Sequence, residues 1–282
     1  MISMSNVWDR ATEFVGDNLA ALSRIAIIIL IFAATQDLLT EASDGAPQAT
    51  KLAIQCVVLV VAMLSLFARL AVLAMAIDDR RSVGEALALA AERLLAVIGA
   101  LIVMGIVFFV LILPLGVLPL IGGLDPSALQ HMTADTFRAL PGWVLATIFI
   151  YSLVLVVVAL WLAARLSLVL AIVVQERVSV AALVRSWQRT RGLALRILGV
   201  LVLLAIVAAV AGLAAKAVFS TVLRLIIGDT GPLSVSGVIT AIAVALVATI
   251  FSVVGDAFTG KLYLATRARE DGHEAGPEAL TA

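Results

Sequence analysis

Three basic residues stand inside long apolar stretches at one spacing: Arg69, Arg165 and Lys261, each 96 residues from the next. A charge within a bilayer is costly, so such a side chain faces a partner, a cavity or the headgroups. If the three converge, they form a basic cluster at one membrane depth, able to hold an anionic headgroup or solute. If they diverge, each runs along apolar surface to the phosphates of the nearer leaflet. One acid, Asp256, lies well within the same kind of stretch, in Val253-Val254-Gly255-Asp256-Ala257. A carboxylate there pairs with a base from another helix, Arg165 or Arg69 being the candidates, or else takes a proton as part of a relay.

A second group lies outside the apolar runs. In the segment Ser179–Arg196, Val180, Leu183, Val184 and Trp187 fall at helical spacing on one face, and Arg185, Gln188, Arg189 and Arg196 favour the other. A basic amphipathic helix of this kind lies along the membrane interface, where each Lys or Arg near anionic lipid adds about 1 kcal/mol of attraction. Arg177, Arg185, Trp187 and Arg189 are therefore the candidates for contact with anionic lipid or a membrane partner, with Arg69, Arg165 and Lys261 beside them. The same arginines also serve simply to set topology.

Signals for catalysis are poor. His131 and His273 fall in a loop and in the C-terminal tail, so no pair of histidines can share a metal or a catalytic base position within the membrane. No glycine-rich phosphate loop carries a lysine. Gly255-Asp256 superficially resembles intramembrane aspartyl proteases, which need a second aspartate at the same depth, and Asp37 is a poor match. No metal, cofactor or enzymatic activity is expected. Cys56 is the sole cysteine.

The elements that position these residues follow from composition. The chain has 282 residues, 63% hydrophobic and 13% charged, with mean hydropathy +1.17. Soluble domains carry roughly twice that charge, and folding this one in water would expose more apolar surface than a monomer tolerates. Nineteen basic and nineteen acidic residues balance, which excludes a nucleic-acid binder. Six runs reach the roughly 20 apolar residues a spanning helix needs: about Leu19–Leu39, Leu52–Ile77, Leu94–Ile121, Trp143–Val174, Leu193–Ile227 and Leu233–Ala265. The expected fold class is thus an all-α integral membrane protein with six transmembrane helices and interfacial cytoplasmic helices.

Asp9, Glu13 and Asp17 before the first run argue against a cleavable signal. Twelve arginines fall on the side of the N-terminal segment and of the stretches after the second, fourth and sixth spans, against Lys51, Arg138, Lys216 and Arg224 on the other, which predicts cytoplasmic termini. Pro126 suits the first turn of a short surface helix in the long external loop, and Pro114 and Pro119 are expected to bend the third span.

The even spans end alike: Phe67-Ala68-Arg69-Leu70, Ala163-Ala164-Arg165-Leu166 and Thr259-Gly260-Lys261-Leu262. Ser82-Val83 and Ser179-Val180 then open the next segments, each serine able to cap a helix. This predicts a three-fold internal repeat of helix pairs, in units of about 1–80, 81–177 and 178–269. Residues 1–269 form the single membrane domain, and 270–282 a flexible cytoplasmic tail.

The stretch Ala164-Arg165-Leu166-Ser167-Leu168, then Gln175-Glu176-Arg177, then Arg185-Ser186-Trp187-Gln188-Arg189-Thr190-Arg191-Gly192, resembles the membrane domain associated with glycerophosphoryl diester phosphodiesterases. Leu262-Tyr263-Leu264, followed by Arg267 and Arg269-Glu270-Asp271-Gly272, is similar to the ending of that family. The sequence departs from the family pattern at Gln175 and at Ala265-Thr266. The resemblance implies a six-span protein of the bacterial inner (cytoplasmic) membrane, in which hydrolysis belongs to an attached soluble barrel. Such a barrel needs about 250 residues, and 17 follow Ala265, so the expectation is a non-enzymatic protein. It contacts anionic lipid or a membrane partner, or alternatively transports a small anionic or lipid-like solute through an Asp/Arg/Lys site.

Overall fold

The computed structural model describes residues 3–43, 47–125, 138, 140–228 and 234–274, and among these it contains helices and no strand. In chain order they are α1 (Met4–Asp17), α2 (Leu19–Ser43), α3 (Gln48–Ile77), α4 (Val83–Ile121), α5 (Gly142–Leu166), α6 (Val169–Glu176), α7 (Ala181–Arg189), α8 (Ala194–Ile227) and α9 (Val235–Glu274). Six helical segments are long and apolar enough to cross a membrane, α5 and α6 together making the fourth. The protein is an all-α integral membrane protein, as its composition demands. Large apolar side chains point outward, with Leu95 81% and Leu195 80% exposed, a surface stable only against lipid.

Packing is concentrated at one end. There, Leu70–Ile77 of α3, Val169–Val174 of α6 and Val253–Tyr263 of α9 supply much of the buried core, together with Val7, Ala11 and Phe14 of α1. This end, which carries α1 and α7, is called the basic end below. The C-terminal helix is central, packing on α8, α2, α1 and α3. It meets α3 at very short range, since a Cβ on Gly260 would lie 2.8 Å from the Ala76 Cβ. Small residues at a crossing let two backbones approach in this way.

Several expectations are corrected. The fourth span is not one helix: it breaks at Ser167-Leu168. The second unit has no separate interfacial helix, because α4 runs unbroken from Val83 through Pro114 and Pro119 to Ile121. Near Pro114, the Tyr151 hydroxyl donates to the Leu111 carbonyl at 2.6 Å, where the proline weakens the helix's own ladder. Ser82 and Glu85 do form a capping box. Ser179 caps nothing with its side chain; its hydroxyl donates instead to the Ala96 carbonyl at 2.8 Å, tying the α6–α7 turn to α4. The last helix continues through Glu274, so residues 270–274 are helical rather than tail. The proposed surface helix at Pro126 lies outside the described residues.

Candidate functional site: an intramembrane cleft and a basic end

The three evenly spaced bases have three different environments. Arg69 on α3 makes a bidentate pair with Asp256 on α9, Nε to Oδ2 at 2.9 Å and Nη2 to Oδ1 at 2.8 Å. The carboxylate is shielded, its side chain 8% exposed, while that of Arg69 is 42% exposed. The pairing matches the ion-pair expectation for Asp256. Lys261, one turn and a half below Asp256, donates to Asp79 at 2.6 Å and lies 4.8 Å from the Phe14 ring centroid. Arg165 packs on two indoles, 5.3 Å from Trp161 and 5.2 Å from Trp187, and donates to the Trp187 carbonyl at 3.3 Å. Each base is thus held by its own protein partner.

The exposed side of Arg69 faces a cleft of about 440 Å³ between α2, α3 and α9. It is lined by Ile29, Phe32, Ala33, Gln36, Asp37 and Thr40 of α2, Ser65 and Arg69 of α3, and Val244, Ala245, Ala248, Thr249 and Ser252 of α9. The polar α2 residues recur at helical spacing, which brings them to one face. Thr249 returns its hydroxyl to the Ala245 carbonyl. The hydroxyls of Ser65 and Ser252 and the third guanidinium nitrogen of Arg69 have no partner among the described residues. Polar groups lining a cavity inside an otherwise apolar helix array require water or a ligand there.

The basic end is organised around Glu176, the last residue of α6. It accepts from Arg185 at 2.6 Å, from the Tyr263 hydroxyl at 3.0 Å and from Arg189. Arg189 also binds Glu270 through Nε at 2.9 Å and lies 5.4 Å from the Tyr263 ring centroid. Burial disfavours the Arg189 charge, but its bonds to the two carboxylates outweigh this and raise its pKa. Arg177, in the left-handed conformation at φ 56°, ends α6 and is exposed with no partner among the described residues. Trp187 is partly exposed at 38%.

The motif Arg185-Ser186-Trp187-x-x-Thr190-x-Gly192 has a local explanation. Ser186 donates to the Arg165 carbonyl at 2.7 Å, and Thr190 does so at 3.2 Å. In a continuous helix that carbonyl accepts from the residue four positions on. With Ser167 also bonding back to the Ala164 carbonyl at 2.9 Å, the helix ladder is replaced by side chains and α5 ends. Trp187 then packs edge-on against Trp161, and Gly192 turns the chain into α8 at φ +79°, a conformation glycine adopts without strain.

Of the expected site residues, the structure brings Arg69 to Asp256, and Arg185 and Arg189 to Glu176. It keeps Arg69, Arg165 and Lys261 with separate partners. Asp79, Trp161, Tyr263 and Glu270 were not singled out as site residues, nor was the cleft. Glu176, an acid closing a span on an arginine-rich side, offered the clearest available signal. The chain matches no family model, no curated protein and no solved structure.

Proposed function

We propose that this protein takes up a small anionic or lipid-like solute in the cleft between α2, α3 and α9, as a transporter or channel whose site is built on Arg69 and Asp256. The observation that carries this reading is the exposed face of Arg69 inside a largely apolar cavity of about 440 Å³ that also holds serine and threonine hydroxyls. Asp256 holds the guanidinium in one orientation, and Ser65 and Ser252 add hydroxyls to the lining. A bound anion meets a preoriented donor there, with an apolar wall at Phe32 and Ala245 for an attached chain. A pre-set fork costs little ordering on binding.

In this reading the helices cross the cytoplasmic membrane with both termini inside, as the arginine distribution suggests. No catalytic role is assigned to the cleft. The resemblance to the phosphodiesterase-associated membrane domain is kept as part of the proposal, since its motif explains how α7 docks rather than any chemistry. A second reading, contact with anionic lipid at the basic end, is favoured by the exposure of Arg177 and Trp187.

Two measurements test the cleft. In a Cys56→Ser background, Ser252→Cys, at a half-buried cleft position, should react with a membrane-impermeant maleimide in reconstituted vesicles, while Leu59→Cys, on the outward-facing surface, should not. Flux of a fluorescent anionic amphiphile through proteoliposomes should drop at least tenfold in the neutral pair Arg69→Gln/Asp256→Asn. An inert Ser252→Cys, or undiminished flux in the folded double variant, rejects the proposal.

A further inference from the structure

A separate polar recess lies at the basic end, between the α7–α8 turn and the last turns of α9. It measures about 420 Å³ and is lined by Gln188, Arg189, Arg191, Gly192, Thr266, Arg269 and Glu270. Three guanidinium groups therefore border one cavity with a single carboxylate among the lining residues. Arg189 is fixed by Glu176 and Glu270 and only 13% exposed, so it forms a rigid wall. Glu270, in turn, is bound to Arg189 and does not neutralise the other two.

Arg191 and Arg269 are exposed, and their side chains have no hydrogen-bond or ion-pair partner among the described residues. The side chain of Gln188 and the backbone N–H of Gly192 likewise have no partner among the described residues. Two unpaired arginine forks, an adaptable amide and an unbonded backbone N–H thus belong to residues that border one recess. Forked guanidinium groups match tetrahedral oxyanions, to which they can give two parallel hydrogen bonds.

From this arrangement we infer a binding site for a phosphate-bearing ligand, with Arg191 and Arg269 as its principal contacts. The ligand is a phosphate monoester or diester, carried either on a lipid headgroup or on a small soluble molecule. The site is independent of the Arg69 cleft: it shares no lining residue with it. Its two main contacts also differ from the arginines of α7, whose charges are already met by Glu176 and Glu270.

The test uses the full chain in detergent and in nanodiscs. Inorganic phosphate is titrated in the first arm, and phosphatidic acid is incorporated into phosphatidylcholine nanodiscs in the second. Arg191→Gln/Arg269→Gln should weaken binding in at least one arm by tenfold or more. The charge-matched control Arg10→Gln/Arg80→Gln, which removes two exposed arginines outside the recess, should stay within twofold. Arg191→Lys/Arg269→Lys keeps the charge but loses the fork and should fall between them. Loss in the phosphate arm assigns a soluble ligand, and loss in the lipid arm alone assigns a headgroup; both support the site. Equal losses in the control and the recess variant, or no binding to the parent chain in either arm, overturn it. Helical circular dichroism confirms that each variant is folded.

Discussion

Arginine meets carboxylate in two regions of this molecule, and the stoichiometry differs. At the cleft, one guanidinium meets one carboxylate, and a further nitrogen of this cavity-lining residue has no partner among the described residues. At the basic end, Glu176 takes two arginines and a tyrosine while Glu270 takes a second face of Arg189. The first arrangement is anchored yet open, which suits a site. The second is closed on itself and joins α6, α7 and α9, which suits a clamp. Identical residue types thus do different work, and the number of partners decides which.

The largest effect should come from breaking the cleft pair on one side. Arg69→Ala leaves Asp256 shielded and unpaired, and is expected to cost about 3 kcal/mol, the lower end for a buried pair because Arg69 is partly open. Thermal unfolding in detergent measures this. The double variant Arg69→Met/Asp256→Leu should recover most of the loss, and equal instability in both would show that the pair is not the cause. Next in size is Gly260→Leu, which forces α3 and α9 apart at Ala76 and should cost about 1–3 kcal/mol through overpacking. It should also weaken the cleft, since the same crossing seats Arg69 against Asp256.

At the clamp, Glu176→Gln should cost about 1–2 kcal/mol, because charge-assisted bonds are replaced by weaker ones and Arg185 is half exposed. Hydrogen exchange should quicken across α7 and leave α2 unchanged; uniform exchange would count against a local clamp. Ser186→Ala removes one of two donors to the Arg165 carbonyl and should cost about 1 kcal/mol or less, with Thr190 still in place. Lys261→Met should be smallest, under about 1 kcal/mol, because its partner Asp79 is largely exposed. A loss from Lys261→Met as large as that from Arg69→Ala would erase the distinction between anchored and peripheral bases.

Length and apolar content made the six membrane helices legible, and depth alone narrowed the partner of Asp256 to two arginines, one of them correct. The break in the fourth span was not legible. It depends on Ser186 and Thr190 reaching back some twenty residues to one carbonyl, a tertiary event that hydrophobic periodicity does not encode. The even spacing of Arg69, Arg165 and Lys261 was visible, but their partners come from α9, α7 and the turn after α3, so like positions acquired unlike surroundings. The cleft escaped notice because its polar residues are scattered over three helices. Ser65, Thr249 and Ser252 read singly as ordinary helix hydroxyls. The two arginines of α7 read from sequence as lipid contacts or topology markers, and only the position of Glu176 shows that both hold the fold together.

The edge-on tryptophans at the end of α5 have an optical consequence. Trp161 and Trp187 lie with ring centroids 4.7 Å apart and planes at 90°, with the Arg165 guanidinium against both. Transitions on two indoles so close couple, and the coupling gives a signed near-ultraviolet circular dichroism band that vanishes when the rings separate. The protein therefore carries its own gauge of whether α7 is docked. Titrating phosphate or lipid while watching that band would show, without any label, whether ligand at the basic end moves the helix.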